Sequence, residues 1–131
     1  MRRLFRCAPM LLIALLLQSC EPVHRAGGVR VRAMSKVVDR DRPDHDICDS
    51  LAMTKADVVS YFSLADEVDA VDFDDEALIM PCKYQGSIQM SGHLYHWEIF
   101  AGGAGYLYDG RALNRRYLCR RQCLAALPDL Q

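Results

Sequence analysis

The chain has 131 residues, 51% of them hydrophobic, with 16 Lys+Arg against 17 Asp+Glu and a formal charge of −1. That length carries one modest domain rather than two. The charge balance excludes nucleic acid as a partner class, because binding phosphates requires a net basic surface.

The N-terminus has three parts. Arg2, Arg3 and Arg6 form a positive start, Pro9 to Leu17 is almost wholly apolar, and Leu17-Gln18-Ser19-Cys20 follows. This layout describes a secretory signal. The apolar run is too short to cross a ~30 Å hydrocarbon core, which takes about 20 residues. The aliphatic Leu17, small Ser19 and following Cys20 resemble the lipobox of bacterial lipoproteins, with Gln18 a less usual occupant of its middle. The resemblance covers only residues 1–20. It implies a leader of residues 1–19 that is cleaved, and Cys20 as the first mature residue, carrying diacylglycerol on its thiol and a further acyl chain (palmitate-type) on its nitrogen. Each buried CH₂ then contributes about 0.8 kcal/mol, and more than one chain makes attachment stable. Glu21, where retained lipoproteins carry Asp, favours sorting onward. The expected location is therefore the cell envelope, on the periplasmic face of the outer membrane. The 16 basic residues less the three leader arginines leave 13 against 17 acidic ones, a mature charge near −4.

Residues 20–44 are polar and charged, with Pro22, Gly27, Gly28 and Pro43. They read as a lipidated flexible tether spanning roughly 25–30 Å, although Gly28 to Val38 alternates enough for a strand. Thr54 followed by Asp57 is an N-cap signal, and Val58, Phe62 and Ala65 recur at helical spacing, predicting a helix over Lys55–Glu67. Seven carboxylates between Asp66 and Glu76 then predict a solvated acidic loop. From Ala77 the period becomes two. Cys82, Tyr84, Gly86, Ile88 and Met90 share one side of a strand, Ser91-Gly92 is a hairpin turn, and His93, Tyr95, Trp97, Ile99 and Ala101 line the return strand. Gly102, Gly103 and Gly105 supply a second turn, Tyr106 to Tyr108 a short strand, and Asp109-Gly110 a third turn. Tyr117 to Leu127 predicts a strand end or helix stopped by Pro128. The fold class expected over 45–131 is α+β, an N-terminal helix followed by a small antiparallel β-meander, stapled by disulfides.

Cys48, Cys82, Cys119 and Cys123 remain after the leader and the lipid claim theirs. Four cysteines in an exported domain predict two disulfides in one of three connectivities. If Cys119 and Cys123 lie on a helix, their separation suits a bridge poorly, so the expectation leans to long-range pairs such as Cys82–Cys119 with Cys48–Cys123. Zinc is disfavoured by the lack of paired CxxC knuckles.

No catalytic constellation stands out. His93 and His96, three apart on a strand, point to opposite faces and cannot share a metal. Gly102-Gly103-Ala104-Gly105 precedes a strand rather than the helix a phosphate loop requires. The acidic stretch lacks the glycine and regular offsets of a calcium loop. Cys48 beside His45 reads as a disulfide cysteine rather than a nucleophile. Enzyme, metal and cofactor are therefore not expected. The expected partners are the membrane, through the lipid, and another envelope protein. Candidate contacts are Asp72, Asp74 and Asp75 in the acidic stretch with Tyr95 and Trp97 in the hairpin, since acids steer basic partners and aromatics anchor interfaces. Arg111, Arg115, Arg116, Arg120 and Arg121 form an opposing basic segment that meets solvent, headgroups or the acidic stretch. The alternatives are a structural or assembly lipoprotein and a small hydrolase.

Overall fold

Residues 28–110 and 114–131 are described by a computed structural model; Cys20 and the leader lie outside the described residues. Two strands of nearly equal length define the centre. β3 (Cys82–Met90) and β4 (His93–Phe100) pair from Lys83–Phe100 to Met90–His93 through the Ser91-Gly92 turn. Both turn residues have positive φ, 50° and 80°, which matches the right-handed twist of the flanking strands. Around them lie β1 (Arg30–Val38), β5 (Ala104–Tyr108), β6 (Asn114–Leu118) and β2 (Asp66–Val68), giving one six-stranded antiparallel sheet ordered β1-β3-β4-β5-β6-β2.

β1 lies within the stretch expected as tether. It pairs along its whole length with β3, with a bulge between Val31 and Ala33. Only Val31 is fully buried there, because an edge strand needs apolar residues on one face alone and tolerates charge on the other. That economy made it look like linker, and the folded domain begins before residue 45.

Thr54 caps α1 (Lys55–Leu64) with a capping box: its hydroxyl accepts from Asp57 N at 3.2 Å and Asp57 Oδ2 accepts from Thr54 N at 2.7 Å. The helix ends at Leu64 rather than Glu67, since Asp66–Val68 is drawn into β2 against β6. The expected acidic loop is likewise structured. Asp69 caps α2 (Ala70–Glu76), whose Phe73 is buried against Ala104 and Leu118 on one face of the sheet. The last strand leads into α3 (Arg121–Ala126) and a turn at Pro128–Leu130, so Tyr117–Leu127 contains both a strand end and a helix.

The larger core lies on the other face. Trp97, Ile88, Ile99, Leu107 and Tyr117 meet Val58 and Tyr61 of α1 there, with Leu127 and Leu130 closing one end. Tyr61 sits at the middle, fully buried, and its hydroxyl donates to the Gly103 carbonyl at 2.9 Å, with the Tyr117 carbonyl at 3.4 Å. Burial pushes its phenol pKa up, so it stays a neutral donor. The phenol fits because residue 105 has no side chain: a Cβ there would stand 2.4 Å from Tyr61 Oη.

The disulfides are Cys48–Cys82 and Cys119–Cys123, not the long-range pairs expected. The reason is local. Cys119 stands at the end of β6 and Cys123 in α3, and Arg120 between them is extended (φ −96°, ψ −174°). The strand-to-helix bend brings the Cα atoms to 5.1 Å, within bridging range, which a continuous helix would not do so readily. Cys48–Cys82, 34 residues apart, carries the greater loop-closure effect, roughly 4 kcal/mol against roughly 2.

Two outcomes are expected. Tyr61→Phe removes one of the two donors to the Gly103 carbonyl, which keeps the Cys119 amide at 2.9 Å, and costs about 0.5–1.5 kcal/mol in urea unfolding, while Gly105→Ala overpacks the same spot and costs about 2–3 kcal/mol. The double variant should cost less than the sum, since removing the hydroxyl relieves the overlap; strict additivity would contradict the contact. Non-reducing peptide maps should link Cys48 to Cys82 and Cys119 to Cys123, and a Cys82–Cys119 peptide would refute that assignment.

Candidate functional site

The five residues expected to contact a partner do not form one surface. Asp72, Asp74 and Asp75 lie exposed on α2, whose Phe73 faces the sheet. Tyr95 and Trp97 are on the opposite sheet face, by strand alternation and by their place in the larger core. Trp97 is 0% exposed, its indole Nε1–H enclosed without an acceptor among the described residues. It is a core residue, and its surface role is withdrawn: the same period-two pattern that put it in the hairpin also turned it inward. Tyr95 is half-buried beside His93, their ring centroids 4.6 Å apart.

The basic segment meets the acidic one within the chain. Arg115 makes a two-pronged contact with Glu67 (3.0 and 2.6 Å), and Arg120 does the same with Glu76 (3.1 and 2.6 Å) while reaching Asp66 at 3.3 Å. These contacts tie β6 and the bend after it to β2 and α2. The Arg115 hydrogen bonds hold the Glu67 carboxyl below its ordinary range, and Glu67 in turn raises Arg115. Asp72, Asp74 and Asp75 take no part in these ion pairs.

His93 and His96 fall on opposite faces, and among the described residues no three His, Cys, Asp or Glu side chains stand where they could hold a metal. The glycine turn at 102–105 is approached closely by the chain's own Tyr61 and Cys119. His96 faces Tyr108 at 5.6 Å in a shallow groove of about 380 Å³ with Ser35, Gln85 and Ser87, on the sheet face that α2 leaves open. That lining mixes Ser35, Gln85, Ser87 and His96 with Ala33, Met34 and Trp97.

A different surface is apolar. At the end of the sheet where β3 begins and β4 ends, Ile47, Leu51, Leu78, Met80 and Leu124 line a groove of about 580 Å³ with Asp129. Leu78 is 62% exposed, Ile79 beside it 46% and Ile47 39%. Apolar side chains clustered and exposed around a concavity mark interaction surfaces rather than ordinary scatter. Its walls are fixed from several sides. The Cys48–Cys82 bridge joins the 3-10 turn His45–Asp49, which carries Ile47, to the start of β3. Lys36 Nζ donates to the carbonyls of Cys48 and Leu51, both at 2.6 Å. Arg42 donates to the Ile79 carbonyl at 3.0 Å while gripping Asp44, whose carboxyl it holds below its usual range. The amide of Gly102 reaches the Leu130 carbonyl at 2.6 Å on the far wall. Sequence reasoning missed this site. Its trace in the sequence is the apolar run Ala77 to Pro81, which carries no period-two alternation.

The Glu67–Arg115 pair gives a pH test. A carboxylate whose folded pKa is depressed contributes stability above its unfolded pKa, and that contribution is lost as pH falls through the folded value. Wild-type stability should therefore decline below pH 4.5, the ordinary Glu67 value, and Arg115→Ala should bring Glu67 back to that value in an NMR titration and flatten the decline. An unmoved Glu67 would break the assignment. Compared with known proteins, the chain matches no family model, no curated protein and no solved structure.

Proposed function

We propose that the chain is a cell-envelope lipoprotein, anchored through Cys20 on the periplasmic face of the outer membrane, whose small disulfide-stapled α+β domain binds another envelope protein in the manner of an inhibitor or immunity protein. The observation that carries the binding role is the groove lined by exposed Leu78 and Ile47, with exposed Ile79 next to Leu78 in the chain. Exposing such side chains to water is unfavourable by about 25 cal/mol per Å², and a partner that covers them recovers that free energy. The walls are cross-linked before any partner arrives, so little ordering entropy is lost on docking. The anchor supports the same reading, because a tethered binder searches a membrane surface at a raised effective concentration.

Two measurements test it. Cys20→Ser should abolish palmitate labelling and move the protein from the membrane fraction to the soluble periplasmic extract; retained labelling would overturn the anchor. Photocrosslinking in cells from a reactive residue at position 78 should capture one dominant protein. Its identity separates an inhibitor's target from a stoichiometric assembly partner, and no capture by a folded, lipidated protein would overturn the binding role.

A further inference from the structure

We propose that the occupant of the groove is a cationic amphipathic segment of the partner protein, its apolar side chains seated against Ile47, Leu51, Leu78 and Met80 and its Lys or Arg side chains facing the acidic rim. This rests on the binding role proposed above and specifies its chemistry.

The charge around the groove is mainly negative. Asp129 is the single charged residue of the lining. Asp46 and Asp49 flank Ile47 on the 3-10 turn, and Asp74 and Asp75 precede Leu78 by four and three residues, within about 14 Å of chain. All five are exposed, and none of them forms an ion pair among the described residues. Of the cations in this region, Arg42 is engaged with Asp44, Arg120 with Glu76 and Asp66, and Lys36 with the Cys48 and Leu51 carbonyls, leaving exposed Lys55 and Arg121 against the five carboxylates. An apolar floor with a net negative rim selects a segment that is apolar on one side and basic on the other.

The position of the groove selects a protein over the anchoring bilayer. β1 starts opposite Gln89, beside the β3–β4 hairpin, and ends at Val38 opposite Cys82. Its nine residues span roughly 30 Å, so the chain coming from Cys20 joins the sheet at the end away from the groove. A small molecule filling the concavity would leave the neighbouring Ile79 in water, whereas a partner segment extends over it.

The test uses the full lipidated chain in phosphatidylcholine nanodiscs. The probe is a fluorescein-labelled 16-residue peptide of Leu and Lys at helical spacing, with two controls: a scrambled peptide of the same composition and a Leu/Glu peptide of the same pattern. The patterned Leu/Lys peptide should bind at least tenfold more tightly than either control. Leu78→Asp and Ile47→Asp, each verified as folded by melting curve and disulfide map, should each weaken it at least tenfold. Asp129→Asn with Asp74→Asn and Asp75→Asn should weaken it several-fold and flatten its salt dependence. Equal binding of the Leu/Glu peptide, or indifference to both groove variants, would overturn the proposal. In cells, photocrosslinkers at Leu78 and, at the far end of the sheet, at Leu94 separate the two levels. Capture of a Lys/Arg-rich segment at Leu78 supports both. Capture of an acidic segment at Leu78 removes the cationic occupant and keeps the binding role, whereas capture at Leu94 alone removes the groove as the binding surface and with it both. Capture at neither removes both.

Discussion

The packing of this domain turns on one phenol. Tyr61 stands where α1 crosses the sheet, and its hydroxyl must reach the Gly103 carbonyl at 2.9 Å through the space that Gly105 leaves empty. Three requirements meet there: a helix face carrying Tyr61, a turn whose carbonyl accepts from the Cys119 amide and still has a lone pair to offer, and a strand residue without a side chain. A tyrosine hydroxyl brought into the core without a partner costs about 1–3 kcal/mol. The Gly103 carbonyl supplies that partner, and the contact sets how α1 lies over Ile99, Leu107 and Tyr117.

The disulfides divide their roles accordingly. Cys119–Cys123 holds a bend, fixing how β6 hands over to α3. Cys48–Cys82 ties a segment with little core of its own to the first residue of β3. Had the pairing been Cys82–Cys119 with Cys48–Cys123, the turn carrying Ile47 would be fixed to α3 instead of to β3. The groove wall is thus a consequence of connectivity. Lys36 and Arg42 reinforce it by donating to the backbone carbonyls of Cys48, Leu51 and Ile79.

Electrostatics follow the same separation of duties. The carboxylates nearest the sheet, Asp66, Glu67 and Glu76, are held by Arg115 and Arg120 and fasten β2 and α2 to β6. Exposed pairs of this kind contribute modestly, so their role is to set position more than stability. The remaining carboxylates of the stretch, Asp72, Asp74 and Asp75, stay outward and give that side of the molecule its negative field.

Much of the local structure was legible in the residues alone. The Thr54–Asp57 cap and the period-two runs on either side of Ser91-Gly92 are short-range signals, decided by neighbours within a few positions. So was the presence of two disulfides. What the sequence could not decide was everything that depends on a partner far along the chain. β1 reads as linker because an edge strand borrows its hydrogen bonds from β3. The acidic stretch reads as loop because Phe73 finds its cover only on the sheet face formed by Ala104 and Leu118. Trp97 reads as an interface aromatic because nothing local says which face of the hairpin α1 will occupy. The cysteine pairing depended on the backbone at Arg120, and the groove on four separate segments converging. Local free energies are written in adjacent residues, whereas burial and surface are assigned only when distant segments compete for the same space.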